Sequence, residues 1–137
     1  MSTPTTIRQS TTTWVQVCTL DDLPVERGCA ALIGGAQVAL FRTALGDVHA
    51  VQQRDPYSGA NVMSRGIIGN RRHIPTIASP MYKQVFDLRT GECLDPVGYE
   101  PVDGCGELRV WDVLVSDGDV LVTTAPMEPL PRLRNSA

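Results

Sequence analysis

The run Cys29-Ala30-Ala31-Leu32-Ile33-Gly34-Gly35-Ala36-Gln37-Val38-Ala39-Leu40-Phe41 decides the fold class. Two short apolar segments flank a Gly-Gly pair, and glycine adopts the positive φ that a tight hairpin turn demands. The run therefore predicts two antiparallel strands. Downstream, Leu45-Gly46-Asp47 forms a second turn signal before Val48-His49-Ala50-Val51. Upstream, Trp14-Val15-Gln16-Val17-Cys18 alternates, and Thr19-Leu20-Asp21-Asp22-Leu23-Pro24 interrupts it with capping and turn residues. Near the end, a strand over Leu108-Arg109-Val110-Trp111-Asp112-Val113-Leu114-Val115 is predicted to return through Ser116-Asp117-Gly118-Asp119 into Val120-Leu121-Val122. No window carries a sustained helical period, so the chain reads as all-β, with short strands at roughly 8–12-residue spacing. A sandwich or small barrel fits that pattern.

The remaining sequence bounds the function. With 137 residues, 42% hydrophobic and 20% charged, the chain suits one globular domain and excludes general disorder, collagen or coiled coil. Twelve Lys and Arg against fifteen Asp and Glu leave a formal charge of −3, which gives nucleic acid nothing to bind. Residues 1–12 are Ser/Thr-rich without the apolar core of a secretory signal, and the Cys29 to Phe41 stretch is too short and too interrupted to span a bilayer. A soluble protein follows, with 1–12 as an N-terminal tail, 13–124 as the domain and 125–137 as a Pro-rich C-terminal tail. Cysteines at 18, 29, 93 and 105 are expected as reduced, mostly buried thiols, since a domain of this size does not depend on bridges. Trp14, Phe86 and Trp111 are expected in the core. Residues 52–87 read as a long irregular segment rich in Gly, Pro, Arg and Ser, and such segments tend to be functional loops.

Little in the chain suggests chemistry of its own. His49 lies in a strand pattern, His73 follows Arg71-Arg72 in a polar loop, and no nucleophile signature accompanies either. Asn70-Arg71-Arg72-His73 reads as a solvated loop. Gly66-Ile67-Ile68-Gly69 lacks the Lys of a phosphate loop, so its glycines are assigned to turns, and the cysteines are too widely spaced for a zinc pair. The informative segments are Asp55-Pro56-Tyr57-Ser58-Gly59-Ala60 and Ser79-Pro80-Met81-Tyr82-Lys83-Gln84-Val85-Phe86-Asp87-Leu88-Arg89-Thr90-Gly91. Together they resemble the two cluster-binding loops of Rieske ferredoxins, Cys-x-His and Cys-x-x-His, followed by a strand ending Phe-Asp-Leu-x-Thr-Gly. In that family two Cys and two His hold a [2Fe–2S] cluster. Here the Cys positions carry Asp55 and Ser79, and the His positions carry Tyr57 and Tyr82. A phenol with a pKa near ~10 and a serine hydroxyl are poor ligands at neutral pH, and iron–sulfur clusters require thiolates.

A closer resemblance shares the substitutions as well as the frame. Asp55-Pro56-Tyr57, Ser64-Arg65-Gly66-Ile67-Ile68-Gly69, Ser79-Pro80-Met81-Tyr82-Lys83-Gln84-Val85-Phe86 and Thr90-Gly91-Glu92-Cys93-Leu94-Asp95, in that order, resemble the small subunits of NAD(P)H-dependent assimilatory nitrite reductases over about Trp14 to Thr123. The resemblance implies a Rieske-like β-sandwich with a small cluster-binding-like loop subdomain, without a cofactor or metal of its own. It further implies a non-catalytic accessory subunit of a cytoplasmic oxidoreductase that reduces nitrite to ammonium in nitrate assimilation. FAD, sirohaem and an iron–sulfur cluster would reside in the partner large subunit. Tyr57 and Tyr82 then either fill the space a cluster would take or, with Arg65 and Lys83, form a docking face for that partner. The alternative is a stand-alone Rieske-type electron carrier or oxygenase ferredoxin component, which would need a bound cluster.

Overall fold

Residues 13–127 are described by a computed structural model. The first sheet brings the two ends of the described chain together. Its strand β1 (Trp14–Thr19) lies against β11 (Asp119–Thr123), which pairs in turn with β10 (Val113–Ser116), all antiparallel. The backbone N–H of Thr124 donates to the carbonyl of Thr13 at 2.9 Å, beside the Trp14–Thr123 register pair. Asp117 and Gly118, at φ 50° and 81°, turn β10 into β11, the geometry that Asp-Gly favours in a two-residue hairpin. Trp14, expected in the core, begins an edge strand and is 40% exposed. Among the described residues no strand lies beyond β1 to cover it.

The second sheet is built on the Gly34-Gly35 hairpin. The strand β2 (Gly28–Ile33) pairs with β3 (Ala36–Arg42), then β4 (Val48–Gln52) and the two-residue β9 (Val110–Trp111) follow in order. Every residue from Val38 to Phe41 is buried, although neighbours in a strand point to opposite faces. The reason is that this sheet is covered on both sides. Val38, Leu40, Ala50 and Trp111 pack with Val120 and Val122 of the first sheet, while Ala39, Phe41, Val51 and Val110 pack with Met63, Ile77, Phe86 and Leu88 on the other side. Burying one such side chain contributes about 1.5–3 kcal/mol, so β3 is the most heavily invested strand in the fold.

The third sheet belongs to the loop subdomain. It runs β5 (Ile67–Arg71), β6 (Ile74–Ala78), β7 (Val85–Asp87) and β8 (Cys93–Asp95), again antiparallel. Three expectations change here. The segment 52–87 is not irregular throughout, because β5 and β6 form a hairpin turned by Arg72 and His73 at φ 50° and 72°. Asn70 to His73 is the exposed tip of that hairpin, and Asn70 Oδ1 accepts the His73 N–H at 3.0 Å. The run Leu108 to Val115 is not one strand either. It changes sheets at Asp112, with Val110 and Trp111 on β4 and Val113 onward on β11, and the Asp112 carbonyl accepts the Thr123 N–H at 3.1 Å. Gly69 sits within β5 rather than in a turn. The N-terminal tail and most of the Pro-rich tail lie outside the described residues, and Met127 is still held by Val110 through a 2.7 Å backbone bond. No helix among the described residues is long and apolar enough to cross a membrane.

Candidate functional site

Two loops leave the second and third sheets and meet at a buried carboxylate. In the first loop the Asp55 N–H donates to Ala60 O at 2.7 Å and Asp55 O accepts from the Gly59 N–H at 2.8 Å, closing a tight turn. Asp55 Oδ1 then accepts the Tyr57 N–H at 2.8 Å, the local bond that makes Asp favourable at a turn start. The second loop repeats this construction. The Lys83 N–H donates to Ser79 O at 3.1 Å, and Ser79 Oγ accepts the Met81 N–H at 3.1 Å. The loops are joined by the Ser79 hydroxyl, which donates to Asp55 Oδ2 at 2.6 Å, while the Ser58 hydroxyl reaches the same oxygen at 3.0 Å. Asp55 and Ser79 are both fully shielded from solvent. A buried carboxylate is tolerated where donors satisfy it, and here three do.

The two tyrosines part company. Tyr57 is 7% exposed and sits in the core cluster, its ring 6.1 Å from that of Phe86 and tilted by 50°. Its hydroxyl donates to Cys93 Sγ at 3.4 Å, and the same oxygen lies so close to Gly106 that a Cβ there would collide with it. Burial first, then the Cys93 contact, pushes the phenol well above its ordinary pKa, so it stays neutral. Tyr82 is 38% exposed and stacks on Tyr99, ring centroids 4.5 Å apart and 8° from parallel. Lys83 is exposed beside it at φ 71°. Arg65 is exposed at the end of the 3-10 turn Met63–Arg65, and the next residue, Gly66, packs on the Ala78 carbonyl at the start of the second loop. The structure thus joins Asp55 to Ser79, puts Tyr57 beneath them, and leaves Tyr82, Lys83 and Arg65 on the outside.

These residues do not fit a [2Fe–2S] cluster. The two atoms at the Cys positions are oxygens joined by a hydrogen bond of 2.6 Å, Ser79 Oγ donating to Asp55 Oδ2, rather than thiolates held apart to receive an iron. At the His positions, one phenol donates into the core and the other lies flat against a neighbouring ring. The four positions form a hydrogen-bonded closure of the loops.

Several participants were not evident in the sequence. Gln84 is fully buried and donates through Nε2 to Pro96 O at 3.3 Å, linking the second loop to a third over residues 96–105. Tyr99 and Val97 of that loop, Cys93 and Gly106 complete the surroundings. Gln84 and Cys93 lie in the quoted segments without a marked role, and for Tyr99 the signal was an aromatic residue within a Pro- and Gly-rich stretch.

Residues 13–123 match the family described as the Rieske-like [2Fe–2S] domain. The chain is similar to the nitrite reductase (NADH) small subunit of Salmonella typhimurium, 36% identical over 108 residues that cover 78% of this chain and 94% of that one. It is also similar to the nitrite reductase [NAD(P)H] large subunit of Klebsiella oxytoca, 40% identical over 110 residues, 80% of this chain. The chain spans only 11% of that large protein. The solution structure of the nitrite reductase [NAD(P)H] small subunit from Erwinia carotovora superimposes with a TM-score of 0.65 at 31% identity, over 90% of this chain and 91% of the other.

Proposed function

We propose that this chain, which belongs to the Rieske-like [2Fe–2S] domain family and within it to the NAD(P)H nitrite reductase small subunits, is the non-catalytic small subunit of a cytoplasmic enzyme reducing nitrite to ammonium. The observation that carries the partnership is the Klebsiella oxytoca relative, a large-subunit polypeptide that contains a stretch like this chain. A domain found inside one polypeptide and separate in another is naturally read as the same partner, tethered in one case and free in the other. That arrangement supports one small subunit per large polypeptide.

The non-catalytic role rests on the site. Asp55 and Ser79 are consumed by each other, Tyr57 is interior, Tyr82 is stacked on Tyr99, and none of the four positions offers a soft ligand. Hydride acceptance and electron delivery then fall to FAD, sirohaem and an iron–sulfur cluster in the large subunit. In this reading Tyr82, Lys83 and Arg65 lie at the contact with the large subunit, and Tyr57 supports their loops from beneath. The four cysteines are not mostly buried as expected, since Cys18, Cys29 and Cys93 are half-buried and Cys105 is exposed.

Affinity isolation of the tagged full chain from cells grown on nitrate tests the partnership. A co-isolated protein with flavin and sirohaem absorbance is the expected result. Isolation of the chain alone, with stoichiometric iron and a visible iron–sulfur spectrum, would overturn it in favour of a ferredoxin-type electron carrier.

A further inference from the structure

Resting on that partnership, we infer that the third loop, residues 96–105, makes half of the surface that docks on the large subunit, with the Tyr82–Tyr99 stack as its anchor. Among the described residues fourteen large apolar side chains are exposed. Five of them, Met81, Tyr82, Val97, Tyr99 and Val102, fall on the second and third loops. Of these, Tyr99 and Val102 are 48% and 53% exposed. Aromatic side chains at the centre of such a patch are the usual anchors of protein interfaces.

The patch is held in place before any partner arrives. Gln84 ties the second loop to Pro96, and the Tyr99 N–H donates to Pro96 O at 3.1 Å. The Val102 N–H donates to Pro56 O at 2.9 Å, and Arg54 pairs with Asp103 at 2.8 Å, so the third loop is also fastened to the first. Val97 sits at φ 55° and Lys83 at φ 71°, conformations that non-glycine residues adopt rarely and a β-branched one most rarely of all. Strained backbone on both sides of an exposed aromatic stack is the pattern of a surface kept for use. Preorganisation of this kind reduces the ordering lost on association.

The occupant is the large subunit, through an apolar recess that accepts two tyrosine edges. In the Klebsiella relative the equivalent stretch is part of the large-subunit polypeptide, where tethering alone keeps the two at high effective concentration. A separate chain has no tether, and contact must hold it. Charges around the patch are of both signs, Lys83 and Arg54 with Glu100 and Asp103, which suits a protein surface rather than a polyanion.

The test uses the full chain and purified holo large subunit, with dissociation constants measured beside thermal melting. Tyr99→Ala and Val102→Asp should each weaken binding at least tenfold while melting stays within a few degrees of wild type. Leu114→Ser, on the exposed side of the first sheet, should leave affinity unchanged. Wild-type affinity in both loop variants would overturn the docking face while leaving the partnership intact. Failure of the wild-type chain to bind would overturn the partnership and this inference with it. Loss of a wild-type homodimer in the variants, seen by sedimentation, would give the face to a second copy and overturn the assignment.

Discussion

The Asp55–Ser79 bond is the joint on which both loops depend, and its strength can be isolated. Ser79→Ala removes one donor from a fully buried carboxylate and one acceptor from the part-buried N–H of Met81, a residue on the surface. A hydrogen bond to a charged group contributes about 1.5–3 kcal/mol, and the 2.6 Å separation places this one toward the upper part of that range. Asp55→Ala removes three bonds at once and strands the buried Tyr57 N–H. Against this, the carboxylate's own desolvation disappears, so the net loss should be about 3–5 kcal/mol rather than the sum of three bonds. In the double variant the Ser79 change has only the Met81 bond left to break. The coupling between the two substitutions should therefore be about 1.5–3 kcal/mol, close to the whole effect of Ser79→Ala. Urea unfolding of the wild type, both single variants and the double variant gives this number, provided the slope with denaturant is common to all four. Coupling below about 0.5 kcal/mol would refute the reasoning, since that is the error expected for independent sites.

Burial lowers the His49 pKa from its ordinary value, against the opposing pull of Asp47 and Asp87 and with help from Arg89. The fold therefore favours the neutral ring, and His49 contributes stability that is complete above an unfolded pKa near ~6.5 and is lost as pH falls through the lower folded value. Melting temperatures between pH 7.5 and pH 5 should fall more steeply for wild type than for His49→Gln, and equal slopes would exclude the effect. Gly91→Ala should destabilise by more than about 2 kcal/mol, because φ is 81° and the new Cβ would meet the Leu108 carbonyl. Gly98→Ala, at φ 78° in open space, should lose only about 1 kcal/mol, and equal losses in denaturant melts would show that the Leu108 contact is unimportant. Tyr57→Phe should cost under about 1 kcal/mol and Tyr57→Ala about 3–5 kcal/mol, if the ring matters chiefly as core and the hydroxyl little. A larger loss in the Phe variant would give the Cys93 contact the greater part.

What was legible in the sequence was what glycine and alternation encode. Gly34-Gly35 and Asp117-Gly118 marked their hairpins because positive φ leaves few alternatives there. The β5–β6 hairpin was hidden because its turn uses Arg72 and His73 in that same region and its second strand carries Pro75. Nothing local announces strain that tertiary structure supports. The change of sheets at Asp112 was hidden for a different reason. Apolar residues continue on both sides of it, and alternation records which face is buried without recording which sheet does the burying. Trp14 was misplaced because aromatic size argues for burial, whereas burial also needs a neighbour on the far side of the strand. The site was half legible. The spacing of the two loops and the residues at the ligand positions could be read directly, but the Asp55–Ser79 bond spans 24 residues of sequence and Tyr99 lies outside every recognisable motif.

The same bond explains how a cluster-type frame can stand on oxygen chemistry. Each loop is closed at its first residue by a side-chain oxygen that accepts an N–H two positions on, and the closing hydroxyl of Ser79 then donates to the other oxygen of the Asp55 carboxylate. A metal centre joins loops by the same logic, through ligand atoms at the loop starts, but that link depends on thiolate, iron and redox state. A carboxylate–hydroxyl link depends on none of these. It exists as soon as the loops fold, and it leaves the outer positions of the second loop free of ligand duty. Tyr82 can then lie outward on Tyr99 instead of turning inward to a metal, and Gln84 can brace the third loop from below. Replacing the ligands therefore does more than remove a cofactor. It turns a tip whose geometry would be set by an iron into one whose geometry is set by packing and hydrogen bonds, which suits the contact with a large subunit proposed above.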